Sequence, residues 1–249
     1  MLDSDFRNVT TARLGAAGID LQAEARAWAE ELSGLTTGLL NRADDPAEML
    51  GWTGLPDTGA HSSAVQQVIR ALPEGLTDLV VLGIGGSSLG ALAVISALQH
   101  PFRLLQPQGS GLRVHFVDNV DPDQTRALLE VLDPARTAVN VISKSGTTAE
   151  TMAAYLVFRH WLEAALGERA AQHVVATTDP ESGILRPLAA ARGYHLLEVP
   201  PSVGGRFSVF SAVGLLPIAL AGIDPEQLLA GAARANALGR QPWQAHRIH

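Results

Sequence analysis

The chain has no cysteine, and all but one of its 18 basic residues are arginine. The first absence removes disulfides and thiolate chemistry and agrees with a reducing compartment. Acidic residues outnumber basic ones, 25 to 18, leaving a formal charge of −7. Such a chain offers no basic field to nucleic acid or to an anionic membrane. An anionic ligand must therefore be held locally, by aimed backbone amides and a few side chains. No apolar run approaches membrane-spanning length, since LVVLGIGG at 79–86 is far too short. The start, MLDSDFRNVT, lacks the basic-then-apolar order of a secretory signal. The expectation is a soluble cytoplasmic protein without nucleic-acid or membrane partners. Internal repeats and low-complexity tracts are also missing. The 47% hydrophobic content with 17% charge is ordinary for a folded domain.

What is present is an alternation of two periods. DLQAEARAWAEELS (20–33) has helical spacing, with Leu21, Ala25, Trp28 and Leu32 on one side and Asp20 as N-cap. Residues 34–60 read as a loop with one short helical turn, and 62–72 as a helix closed by Pro73. From there, apolar runs at 79–85, 112–118, 137–143, 173–178 and 194–199 read as strands. Helices are expected between them at 87–99, from Asp121-Pro122 to about 132, 147–166, and from Asp179-Pro180 to about 192. Two more are expected at 206–221 and 225–238. Strands alternating with helices predict a parallel five-stranded sheet covered on both faces, an α/β three-layer αβα sandwich. N-terminal helices precede it. The divisions expected are a helical arm (1–60), a ligand-binding domain (61–222), and a helix with an atypical tail (223–249).

Three glycine-containing segments fall at or just past strand C-termini, where ligands bind in such sheets. In SKSGTTAET (143–151) a helix N-terminus meets the hydroxyls of Ser143, Ser145, Thr147 and Thr148 beside the single lysine, Lys144. That combination suits a phosphate monoester, although Thr147-x-x-Glu150 also fits a capping box that needs no ligand. The GxxxxGK[ST] spacing of a P-loop is missing. In GIGGSSLG (83–90), Ser88 stands where a dinucleotide fingerprint needs its third glycine. Asp118 lies 33 residues past Gly85, beyond the usual ribose-binding spacing of about 20. A nicotinamide dehydrogenase therefore ranks last. Gly85, Gly86 and Ser87 read better as donors to a small polar ligand. In SVGGRFS (202–208) two glycines clear the space before Arg206, whose guanidinium suits a developing oxyanion or enediolate. The alternative is an ordinary surface arginine.

ISKSGTTAET resembles the phosphate-binding signature of sugar isomerase (SIS) domains, of the form S-x-S-G-x-T-x-E. Together with GIGGSSLGA and VGGRFSVFSAVGLLPIALAG it resembles the glucose-6-phosphate isomerase family in its shorter bacterial form, from LGWTGLP near residue 50 to about 238. The resemblance implies that Gly85, Gly86 and Ser87 contact the sugar of a hexose 6-phosphate. Ser143, Lys144 (through its backbone), Ser145, Thr147 and Thr148 would hold the 6-phosphate, and Arg206 would stabilise the enediolate. It also implies a flavodoxin-like strand order and a homodimer, and needs neither metal nor organic cofactor. Pro201 departs from the family, which usually has an acidic residue two positions before the valine of VGGR.

The family's glutamate base, in a motif like ESxGK, and its ring-opening histidine and lysine have no match here. Glu150 and Glu198 sit near strand ends without such a motif, and His246 and His249 lie in the tail. The expectation is an N-terminal half that binds without catalysing alone. A frameshift, an early stop or an authentic short form would produce the tail ALGRQPWQAHRIH, and sequencing the locus distinguishes them. The competing expectation is a stand-alone SIS domain that senses a phosphosugar.

Overall fold

A computed structural model describes residues 5–241 apart from 44, 58, 106–108 and 110. His246, His249 and most of the expected tail lie outside the described residues. After the short α1 (Thr11–Leu14), α2 runs over Leu21–Asn41, and Asp20 caps it through the amides of Gln22 and Ala23. The loop expected from residue 34 therefore begins about two turns later than the glycines suggested. Gly34 and Gly38 have open space around them and sit within the helix.

Helix α3 (Ala60–Ala71) leads into the alternating part of the chain. This comprises β1 (Asp78–Leu82), α4 (Leu89–Leu98), β2 (Arg113–Val117), α5 (Pro122–Val131), β3 (Thr137–Ile142) and α6 (Ala149–Leu166). It continues with β4 (Val174–Thr178), α7 (Leu185–Arg192), β5 (His195–Glu198), α8 (Ala212–Leu220) and α9 (Pro225–Gly239). All strand pairs are parallel, and their order is β2-β1-β3-β4-β5, as expected. β1, β3 and β4 are buried along their whole length, which is why they read as unbroken apolar runs.

Successive residues still serve opposite faces. Leu79 and Val81 pack with α3, α4, α8 and α9 in one layer. Val80 and Leu82 pack with Tyr155, Phe158 and Leu162 of α6 and with α7 in the other. Together these make three layers, αβα.

Two expected helices start late. The helix placed from Asp179-Pro180 begins only at Leu185, and the one placed from Arg206 begins at Ala212. In the first case Asp179 does cap, but it caps an isolated turn through the amides of Glu181 and Ser182 (2.9 Å each). Gly183, at φ 87°, then breaks the path before α7. In the second, a short 3-10 turn at Gly205–Phe207 precedes Ser208, and Ser211 caps α8.

Candidate functional site

The strand order reverses between β1 and β3, so the loops after these two strands flank one crevice at the carboxyl edge of the sheet. A cavity of about 410 Å³ lies there, lined by Met49, Ile84, Ser87, Ile142, Ser143, Lys144, Ser145, Thr148, Thr151, Asp179 and Ser182.

The loop after β3 forms its floor. Ser143 Oγ accepts from the Gly146 amide (3.0 Å) and lies 3.2 Å from Thr148 Oγ1. The Thr178 hydroxyl donates to the Ser143 carbonyl (2.8 Å) and the Asp179 amide to the Lys144 carbonyl (3.3 Å), tying the loop to the one after β4. Gly146 takes φ 68°, and a Cβ there would sit 2.5 Å from the Leu185 nitrogen. Glycine is therefore required twice over, by conformation and by space.

The capping box is not made. α6 starts at Ala149, its N-cap is Thr148, and no side chain caps it. Thr147 is exposed and its hydroxyl pairs with Ser145 Oγ (2.8 Å), while Glu150 faces a different cavity between α5 and α6. The first-turn amides of α6 thus have no side-chain cap, and these orphan donors carry the positive end of the helix dipole.

Thr151, one turn further on, was not foreseen. It is 3% exposed, and its hydroxyl, at the cavity wall, has no hydrogen-bond partner among the described residues. Its signal in the sequence was the i+3 spacing from Thr148, which puts both on one side of the helix. Asp179 and Ser182 were missed because the Asp-Pro dipeptide reads as a helix start. Burial alone would raise the Asp179 carboxyl, but the Glu181 and Ser182 amides and the Ser182 hydroxyl outweigh it and hold it below its ordinary value.

Of the first loop, Ser87 reaches the cavity, whereas Ser88 is fully buried and donates to the Gly85 carbonyl (3.2 Å). Gly85 (φ 58°) and Gly86 turn the chain beside the cavity. A Cβ on Gly86 would fall onto the Gly205 carbonyl oxygen, so the GIGG and VGGR loops touch backbone to backbone. Ser208 Oγ donates to the Gly205 carbonyl (2.8 Å) and lies 3.3 Å from that of Gly86.

This contact brings Arg206 alongside the first loop. Arg206 is exposed and, among the described residues, its side chain makes no hydrogen bond or ion pair. Its neighbour Phe207 stacks on Trp52, with centroids 5.3 Å apart. The Lys144 side chain leaves the cavity floor for the carbonyls of Pro201 and Val203.

The family model for phosphoglucose isomerase matches residues 30–238. Glucose-6-phosphate isomerase of Rubrobacter xylanophilus is 46% identical over 233 residues, covering 92% of this chain and 51% of that protein. The enzyme of the same name from Thermus thermophilus is 45% identical over 206 residues, covering 83% of this chain and 47% of that one. Among solved structures, a hypothetical protein of Thermus thermophilus superposes with TM-score 0.82 at 41% identity, over 90% of this chain and 51% of that one. A glucose-6-phosphate isomerase of Chlamydia trachomatis superposes with TM-score 0.64 at 28% identity, over 86% of this chain and 47% of the other. The chain spans about half the length of these relatives, and over that span, with the sheet order and the three loops in place, it belongs to the phosphoglucose isomerase family.

Proposed function

We propose that residues 61–222 form the phosphate-holding half of an isomerase site that interconverts glucose 6-phosphate and fructose 6-phosphate. The observation that carries this reading is the cavity floor. It joins the uncapped N-terminus of α6 to the hydroxyls of Ser143, Ser145 and Thr148 and to the unpartnered hydroxyl of Thr151. Backbone amides at a helix start and neutral hydroxyls suit a phosphate dianion in a chain of net negative charge. Thr147 orients Ser145, and the backbone of Lys144 completes the loop. Gly85, Gly86 and Ser87 face the sugar. Arg206 stands where enediolate charge develops as a proton moves between C1 and C2.

That proton needs a base within hydrogen-bond reach. Among the described residues the one carboxylate lining the cavity, Asp179, is held by two backbone amides and is a weakened base. We therefore infer that these 249 residues bind the substrate and do not turn it over unaided, and that the chain pairs with a second copy.

A coupled assay for fructose 6-phosphate, run beside thermal denaturation with hexose 6-phosphates, tests the reading. Saturable stabilisation without turnover is expected. Ser145→Ala should weaken binding roughly tenfold or more, as losing a hydrogen bond to a charged group does. No stabilisation by any sugar phosphate would sink the proposal. Stabilisation by NAD instead would restore the dehydrogenase reading.

A further inference from the structure

We propose that Lys144 is a positioning residue whose ammonium latches the loop after β3 to the loop that carries Arg206. The side chain of this single lysine leaves the cavity floor, and Nζ donates to the carbonyls of Pro201 (2.7 Å) and Val203 (3.2 Å). It also reaches Met49 Sδ at 3.8 Å. One ammonium thus bridges three stretches of chain: the segment before α3, the loop after β3 and the loop after β5.

The loops on both sides of Lys144 carry one further tie each. Val203 is fully buried and forms an isolated bridge with Leu50, while the Gly51 amide donates to the Ser202 carbonyl (3.0 Å). The Lys144 backbone is fixed too, since its carbonyl accepts from Asp179 and lies 3.3 Å from the Thr178 hydroxyl. Between Val203 and Arg206 lie only Gly204 and Gly205, which have no side chains to stiffen the path. Phe207, stacked on Trp52, holds the far side. Lys144 thus grips the loop on the side that leads into the two glycines, while the Phe207 amide and the Ser208 hydroxyl hold the Gly204 and Gly205 carbonyls from the far side.

Both acceptors are neutral carbonyls, so the latch costs no countercharge, and the cation stays beside a loop suited to an anion. Pro201 offers a carbonyl on a backbone of fixed φ. This geometry couples the two loops: a ligand that orders Ser143–Thr148 also orders residues 201–206 through one side chain. The latch rests on geometry alone, whereas its coupling to a ligand rests on the phosphate reading above.

Hydrogen exchange read on peptides covering 200–207 tests both parts, using wild type, Lys144→Met and Lys144→Arg, with and without glucose 6-phosphate. Without ligand, Lys144→Met should exchange at least tenfold faster at 200–207, with the β-strand peptides unchanged. Lys144→Arg, which keeps charge and donors, should restore most of the protection. Ligand should slow 200–207 in wild type and not in Lys144→Met, an effect that a merely structural lysine would not produce.

Reductive dimethylation of the folded protein is a second route, because this is the only lysine. A dimethylated ammonium keeps its charge but has one N–H left for two carbonyls. The same loosening at 200–207 is expected. Unchanged exchange at 200–207 in Lys144→Met or in the methylated protein overturns the latch. Ligand-induced slowing that survives in Lys144→Met overturns the coupling. Failure of the ligand to bind wild type overturns the phosphate reading, and the ligand-free comparison still decides the latch.

Discussion

At the scale of single residues the site depends on what is missing from side chains as much as on what is there. Gly146 illustrates this with an internal control. Gly146 and Gly167 share nearly the same φ, 68° and 59°, yet a Cβ meets the Leu185 backbone at the first and open space at the second. Gly167→Ala should therefore cost only the conformational term, about 1–3 kcal/mol, since ψ −130° lies outside the left-handed helical well. Gly146→Ala should add overpacking against backbone that cannot swing away, for a total of about 2–4 kcal/mol. It should also abolish sugar-phosphate stabilisation, because the displaced amide is the one that orients Ser143. Urea unfolding of the two variants measures the difference. Equal costs, with ligand response intact in both, would show that the loop tolerates a side chain.

The hydroxyls of this loop stood out in the sequence because a capping box would use Thr147 and Glu150 and leave Ser143 and Ser145 beside Lys144 unexplained. The division of labour among them was not legible there. Thr147 and Ser145 satisfy each other, Ser88 turns inward, and the silent Thr151 lines the cavity.

Elements were legible where local chemistry and tertiary packing agreed. The chain has five Asp-Pro dipeptides, at 45, 121, 133, 179 and 224, and in each the aspartate accepts from the amide two residues on. Those at 121 and 224 open α-helices, those at 45 and 133 open 3-10 turns, and the one at 179 opens only a bend. The dipeptide therefore fixes a turn, and the residues beyond it decide whether a helix continues. After Asp179 the decision is made by Gly183, whose missing Cβ lets the chain press on the Ser145 carbonyl. The Ile184 amide then donates to that carbonyl (3.2 Å). A failed helix start is thus what brings Asp179 and Ser182 over the cavity, an outcome set by a contact between distant loops.

At the opposite edge of the sheet, β1 and β2 are joined by charge. Asp78, 2% exposed, accepts from Arg113 (2.9 and 2.7 Å) and Thr77 (2.7 Å) and lies 2.8 Å from His115 Nε2. Burial alone would raise its carboxyl, but the hydrogen bonds from His115, Arg113 and Thr77 outweigh this and hold it well below the carboxylate range. A carboxyl depressed by folding contributes stability that is fully present above its unfolded value, near 4, and lost as pH falls toward the folded value. Asp78→Asn should therefore cost about 2 kcal/mol at neutral pH. The gap between the two proteins should narrow as pH falls below about 4. Denaturant titrations across that range check it, and a gap independent of pH would show that the charge on Asp78 is not what joins the strands.

The whole molecule is unevenly covered. On one side of the sheet α3, α8 and α9 close the layer, and the Ser62 hydroxyl of α3 donates to Glu226 of α9. On the other, α6 turns Leu156 (51% exposed) and Val157 (44% exposed) outward. Beside them lies an open groove of about 680 Å³ lined by Leu129, Pro134, His160, Trp161, Ala164 and Ala165. A second cavity of about 310 Å³ continues it past Leu129 and Val157 toward Asn119. The 21-residue α2 likewise buries none of its side chains fully, with Trp28 and Leu35 half or more exposed. Most helical stability in proteins comes from packing one face, so an open apolar helix face is one that a second copy can cover. A continuous apolar strip of this kind is uncommon on a monomer. The chain should accordingly self-associate through the α5–α6 face at micromolar concentration, giving a scattering mass of at least twice 26.2 kDa. Leu156→Glu combined with Val157→Glu places two charges on the strip without touching the sheet or the phosphate loop. The double variant should scatter as a monomer and keep its response to sugar phosphate. A wild type that is monomeric throughout, or a double variant of unchanged mass, would move the association surface elsewhere. Loss of ligand response together with loss of association would instead mean that the partner copy contributes to the site.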